Sequence, residues 1–180
     1  MLQTALSDGL IIFAAGQYKF AHDSVQQSIY SLIPGDQQKQ LHLDIGKAFT
    51  SALADDETGD HLFDLVNHWN IGFDVDKGDR SLFYVTNLNL LAGRKARSNA
   101  ASHQAFFSFE KALSLLGADS WKSAYEFNLQ LFEEAAEVAF LCGEMDRADQ
   151  LVNNILTNAR DFKAALKGYE VKIQKLIAGY

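Results

Sequence analysis

Tyr18-Lys19-Phe20-Ala21-His22-Asp23-Ser24-Val25-Gln26-Gln27-Ser28-Ile29-Tyr30-Ser31-Leu32-Ile33 is where the chain turns from a short β-prone run into helix. Phe20 closes the strand-like part, and Asp23 or Ser24 is expected to cap the helix by accepting a hydrogen bond from a free backbone N–H. Gln27 stands at the reciprocal capping-box position if Ser24 is the cap. Val25, Ile29, Leu32 and Ile33 follow at helical spacing, so one face of this helix is apolar. Pro34 ends it, because the residue before a proline is pushed out of the α region. His22 is thereby fixed at a strand-to-helix junction, where free N–H groups and the positive end of the helix dipole favour an anion such as phosphate.

Working outward toward the start, Leu2, Ala5 and Leu6 share one side of a short helix that Asp8-Gly9 stops. Residues 10–13 and 18–20 are β-prone, and the link Ala14-Ala15-Gly16-Gln17 has the glycine a hairpin turn favours. A two-stranded hairpin is marginal alone and is expected to lean on helices. Helix, hairpin, helix is the order found at the end of a winged-helix unit that lacks its first helices.

Beyond Pro34 the chain has no further proline and reads almost entirely as helix. Residues 37–53 carry Leu41, Ile45, Ala48, Phe49 and Ala52 as an apolar stripe, 54–60 form a polar connector, and 61–71 point Leu62, Leu65, Val66 and Trp69 inward. Residues 79–99 and 101–116 then pair like a tetratricopeptide repeat, a helical hairpin whose small residues let two helices approach closely. Gly93 takes the small position of the first helix; Ala105, Phe109 and Ala112 take the small, large and small positions of the second. A second copy runs through Phe132, Ala135, Ala136 and Ala139, turns at Gly143, and returns through Ala148, Val152 and Ile155. The spacing from Ala105 to Ala148 exceeds the usual repeat of about 34 residues, and the excess falls in 117–123, which includes Trp121. Residues 162–180 read as the first helix of a third repeat without its partner, so the chain is expected to be a fragment of a longer protein.

The fold class expected is therefore mainly α. A partial winged-helix element with a short β-hairpin spans 1–34, a helical connector 35–78, and an α-α superhelix of degenerate tetratricopeptide-like repeats 79–180, the last one incomplete.

Composition bounds the function. With 48% apolar residues the chain can bury a real core, and its net charge of −7 opposes nonspecific nucleic-acid binding. No run approaches the roughly 20 apolar residues of a membrane span. A single cysteine, Cys142, excludes an internal disulfide and a cysteine-built metal site, and fits a reducing, cytoplasmic location.

Several stretches resemble, in order, the region that follows the AAA-type nucleotide-binding domain in large bacterial and fungal multidomain sensor kinases. They are Phe20-Ala21-His22-Asp23-Ser24-Val25-Gln26-Gln27-Ser28-Ile29-Tyr30, Leu41-His42-Leu43-Asp44-Ile45-Gly46, Asn87-Leu88-Asn89-Leu90-Leu91-Ala92-Gly93-Arg94-Lys95-Ala96 and Phe140-Leu141-Cys142-Gly143-Glu144. Those proteins join a serine/threonine-kinase-like domain, a signal-transduction ATPase of the STAND class, tetratricopeptide-like helices, a GAF sensor and often a histidine kinase. The resemblance implies that His22 and Asp23 match the His-Asp pair of the STAND winged helix, whose histidine sits near the β-phosphate of bound ADP. It also implies ATP/ADP with Mg in the parent, with an upstream nucleotide-binding domain and downstream repeats or sensor domains as partners. No Gly-x-x-x-x-Gly-Lys-Ser/Thr phosphate loop occurs in the chain, so no cofactor and no catalytic residue are expected in this segment. The other reading is a free-standing helical-repeat adaptor that binds a protein in its groove.

Other candidates have simpler explanations. His42 and Asp44 are expected on an exposed helix face. His61, Asp64 and His68 share one face but lack a third strong ligand for a metal. A histidine-aspartate phosphohydrolase, the enzymatic competitor, needs further ligands around His22-Asp23, and a hairpin before them does not suit its all-helical metal core. Trp69 and Trp121 read as packing residues, Arg94, Lys95 and Arg97 as a solvated face that could meet an acidic partner, and Cys142 as a packing residue at a turn. Ser7, Ser24 and Ser28 lack a nucleophile-elbow context.

Overall fold

The computed structural model of the chain describes residues 2–52, 61–76 and 78–179. Within them the chain is mainly helical, with one two-stranded antiparallel hairpin. The connector expected over 54–60 lies outside the described residues.

Helix α1 (Leu2–Ser7) leads into strand β1 (Ile11–Ala14), and β2 (Gln17–Phe20) returns beside it. Ala15 and Gly16, at φ 52° and 78°, make the two-residue turn between them. Positive φ at both central positions is the geometry whose twist matches that of paired strands. The register sets Ile11 opposite Phe20 and Phe13 opposite Tyr18, whose rings lie 4.8 Å apart. The hairpin touches α1 on one side and α2 (Asp23–Ser31) on the other, and its side chains stay largely in water. It leans mainly on these short neighbours. The cap of α2 also differs from expectation: His22, in extended backbone at φ −145°, is the N-cap, and no side chain caps the helix. The carbonyl of His22 instead accepts from the N–H groups of Val25 and Gln26.

After Pro34 consecutive helices pair. Helix α3 (Gly35–Ala52) packs on α4 (Leu62–Gly72), α5 (Asp79–Ser98) on α6 (Ser102–Ser114), and α8 (Tyr125–Leu141) on α9 (Met145–Asn158). Helix α4 joins one pair to the next through α5, and α6 does so through α8; α10 (Phe162–Ile177) lies on α8 and α9. One apolar cluster fills the space between α3, α4 and α5, and a second runs from α5 to α10.

Glycines set the closest crossings. A Cβ on Gly93 would collide with the Phe109 ring, so the small-against-large pairing of α5 and α6 follows from the sequence. A Cβ on Gly72 would lie 2.5 Å from the Leu43 backbone nitrogen, and one on Gly46 would lie 3.2 Å from Trp69. These two glycines decide which face of α3 is buried. That face is His42, Leu43 and Gly46, with Phe49 of the expected stripe packed beside it and Ile45 half-buried, while Leu41 is 41% exposed and Ala48 and Ala52 face water. Backbone approach at a glycine outweighs the attraction of a sparse stripe containing two alanines. On α4, by contrast, Leu62, Leu65, Val66 and Trp69 are all buried, as their spacing predicts.

The 117–123 excess contains α7 (Ser120–Ser123), packed on α8. Trp121 donates its indole N–H to Asn154 at 2.9 Å and lies against Phe132, while the fully buried Asn128 amide donates to the carbonyls of Ser120 and Ala124. The insertion is therefore built into the body.

Arg94, Lys95 and Arg97 correct another expectation. Arg94 binds Glu134 at 2.6 Å, Arg97 reaches Glu134 and Glu137 at 3.5 and 3.4 Å, and the Lys95 ammonium stands 5.9 Å from the centre of the Phe63 ring. The acidic partner of Arg94 and Arg97 is α8 of the same chain. Later residues of α5 meet later residues of α8, so these two helices run in the same direction, with 40 residues separating Arg94 from Glu134.

Candidate functional site

A cavity of about 660 Å³ lies where α2, α3 and α4 meet the end of β2. Leu41, exposed on α3, and the half-buried Ile45 form part of its apolar wall with Ile29, Ile33 and Ile71. Phe20, Tyr30, His42 and His68 supply rings, and Asp23, Gln26, Gln27 and Asn67 supply polar groups.

His42 is the centre of this arrangement. The ring is 9% exposed, its Nε2 lies 3.0 Å from the Tyr30 hydroxyl, and its centroid is 4.7 Å from that of His68. The expectation of an exposed His42 is thus overturned, because Gly46 and Leu43 on the same face draw it inward; Asp44 does face water and accepts from Gln40 at 2.8 Å. Nδ1 of His42 and Nδ1 of His68 are both buried without a hydrogen-bond partner. Burial pushes the His42 pKa below the usual imidazole range. For His68 burial does the same, helped by the proximity of His42 and opposed by Asp64. Two imidazoles packed this closely repel each other if both are charged, so the site disfavours their protonation. Helix α2 is held to α3 by the Tyr30–His42 contact and by Gln38, whose amide donates to the carbonyls of Tyr30 and Ile33 at 3.0 and 2.9 Å.

The His-Asp pair is divided. Asp23 lines the cavity mouth, while His22 is exposed at the helix cap and is not among the lining residues. His61 is exposed with its ring 6.5 Å from Phe49, and Asp64 is exposed one turn before the half-buried His68. Among the described residues no three His, Cys, Asp or Glu side chains converge as a metal-ligating set. Trp69 is buried and donates to Thr50 at 3.0 Å, and Cys142 is half-buried at the C-cap of α8, where burial raises its thiol pKa. Among the described residues, no helix is long and apolar enough to cross a membrane.

Sequence reasoning missed Tyr30 and the stacking of His42 on His68. Gly46 was the available signal, since a glycine one turn beyond a histidine marks that face for close packing.

No family model matches the chain, and no solved structure matches it. What it is similar to is a stretch of a signal-transduction protein, which makes a signalling segment the class that the comparison supports. That protein is hybrid signal transduction histidine kinase G of Dictyostelium discoideum, 25% identical over 168 residues, a match that takes in 80% of this chain and 5% of the kinase. The chain thus spans only a small part of the relative's length.

Proposed function

We propose that this chain is a non-catalytic regulatory and interaction module of a multidomain signal-transduction ATPase or sensor kinase, coupling nucleotide state to the sensing of a signal or partner. The observation that carries the reading is the match of most of this chain to a small share of a hybrid histidine kinase. On this reading the hairpin with α2 is the end of a winged-helix element, and α5 to α10 are degenerate tetratricopeptide-like repeats. The common direction of α5 and α8 and the small-against-large contact of Gly93 with Phe109 support the repeat assignment. His22, with Asp23 beside it in the pair, meets the ADP phosphate contributed with an upstream domain, and ATP/ADP with Mg belongs to that domain. The exposure of His22 at a helix N-terminus suits such a contact. Nucleotide exchange then shifts the balance between closed and open arrangements of the parent.

A free-standing protein-binding adaptor is the second reading, favoured by the exposed apolar stripe of Phe162, Leu166, Tyr169, Ile173 and Ile177 on α10. Sequencing the coding DNA on both sides separates the two. A phosphate-loop domain upstream in the same frame is the expected result, and His22→Ala in that full-length protein should then change its nucleotide-dependent activation. Unrelated genes with stop codons on both sides would leave the adaptor.

A further inference from the structure

The charge and lining of the α2–α3–α4 cavity point to a ligand class distinct from a nucleotide phosphate. Asp23 is the only Asp, Glu, Lys or Arg among the lining residues, and burial disfavours the charged form of both imidazoles there. A phosphate entering this space would meet a carboxylate and neither a lysine nor an arginine. A cation meets the reverse: a carboxylate, the aromatic side chains of Phe20 and Tyr30 in the same lining, and a chain of net charge −7.

The rest of the lining asks for an apolar body. Phe20, Ile29 and Leu41 are 38, 40 and 41% exposed at the cavity, so apolar surface there is left to water. Covering it with a ligand is favourable at roughly 25 cal/mol per Å². The size, about 660 Å³, lies within the range of small-molecule sites, roughly 300–1,000 Å³.

We infer that this cavity binds an organic amine, a protonated amino group on an aromatic or aliphatic body, with the ammonium at Asp23 and the body between the apolar wall and the Tyr30–His42–His68 rings. This goes beyond the nucleotide reading and gives the sensing module a signal of stated chemistry. Because Asp23 follows His22 directly, an amine seated there would lie beside the nucleotide contact proposed for the parent.

The test uses phenethylamine as the probe, phenethyl alcohol as its uncharged counterpart and 3-phenylpropionate as the charge-reversed one, each titrated into the chain at pH 7.5. The ring-proton NMR signals of His42 and His68 report occupancy. The amine should move both sets of signals and bind more tightly than the alcohol, and the carboxylate should not bind. Asp23→Asn should remove the amine's advantage, roughly fivefold as for an exposed ion pair, and leave the alcohol's affinity unchanged. Asp23 is exposed, so the variant should fold as the parent does. Equal binding of amine and alcohol, an advantage that survives Asp23→Asn, or no binding by any probe would each overturn the assignment. No nucleotide domain enters these titrations, so their failure is distinct from a failure of the His22 experiment.

Discussion

At the scale of single residues, the lowered pKa values of His42 and His68 make stability depend on pH. Both pKa values are lowered in the folded chain, so the unfolded chain binds more protons as pH falls through about 6.5, the ordinary value for histidine. Stability is therefore fully present above that pH and declines below it, by at most about 1.4 kcal/mol per pH unit for each extra proton. Asp64 opposes the shift at His68, and Tyr30 meets Nε2 of His42. Urea midpoints measured from pH 7.5 to 5 should fall, and His68→Phe should flatten the fall; an unchanged slope would mean that other groups cause it. Gly93 gives a second prediction. Ala at this position drives a methyl group into Phe109, a small-to-large change that costs about 1–3 kcal/mol, and adding Phe109→Leu should recover part of the loss in the same denaturation assay.

At the scale of elements, the hairpin turn holds an unrelieved strain. Ala15 is at φ 52°, a region that glycine or asparagine enters more readily. Ala15→Gly should slow amide exchange of the β1–β2 ladder, with a gain of about 0.5–1 kcal/mol; faster exchange would show that the added freedom of the unfolded turn dominates. The hairpin itself, the helices after Pro34, and the meeting of Gly93 with Phe109 were all legible, because turn chemistry and residue size act locally. The inward face of α3 was not. Its orientation is fixed by two glycines, Gly46 on α3 and Gly72 on the next helix, and the second exerts its effect only once the helices have met. For the same reason Asp23 could be singled out from the sequence, whereas the Tyr30–His42–His68 cluster, assembled from three helices, could not. Arg94 and Arg97 looked solvated because their carboxylate partners lie about 40 residues away.

At the scale of the whole molecule, ion pairs tie successive helices along one line: Arg94 and Arg97 of α5 to Glu134 and Glu137 of α8, and Glu137 onward to Lys167 of α10 at 3.5 Å. Glu134 is the shared anchor, 16% exposed, with one oxygen on Arg94 and the other facing Arg97. Glu134→Gln should lower stability by about 1–2 kcal/mol, because it leaves two guanidinium groups beside a neutral amide. A thermal melt should show the loss shrinking as salt is raised, and a loss independent of salt would assign it to packing. On the other side of the molecule, no described residue before His42 is buried. Hydrogen exchange should therefore divide the chain into two cooperative units. Residues 2–31 would open at low free energy while the amides of α5, α8 and α9 exchange only with global unfolding. Such an N-terminal unit, tied to α3 through Tyr30–His42 and Gln38, would then open like a latch, released without melting anything behind it.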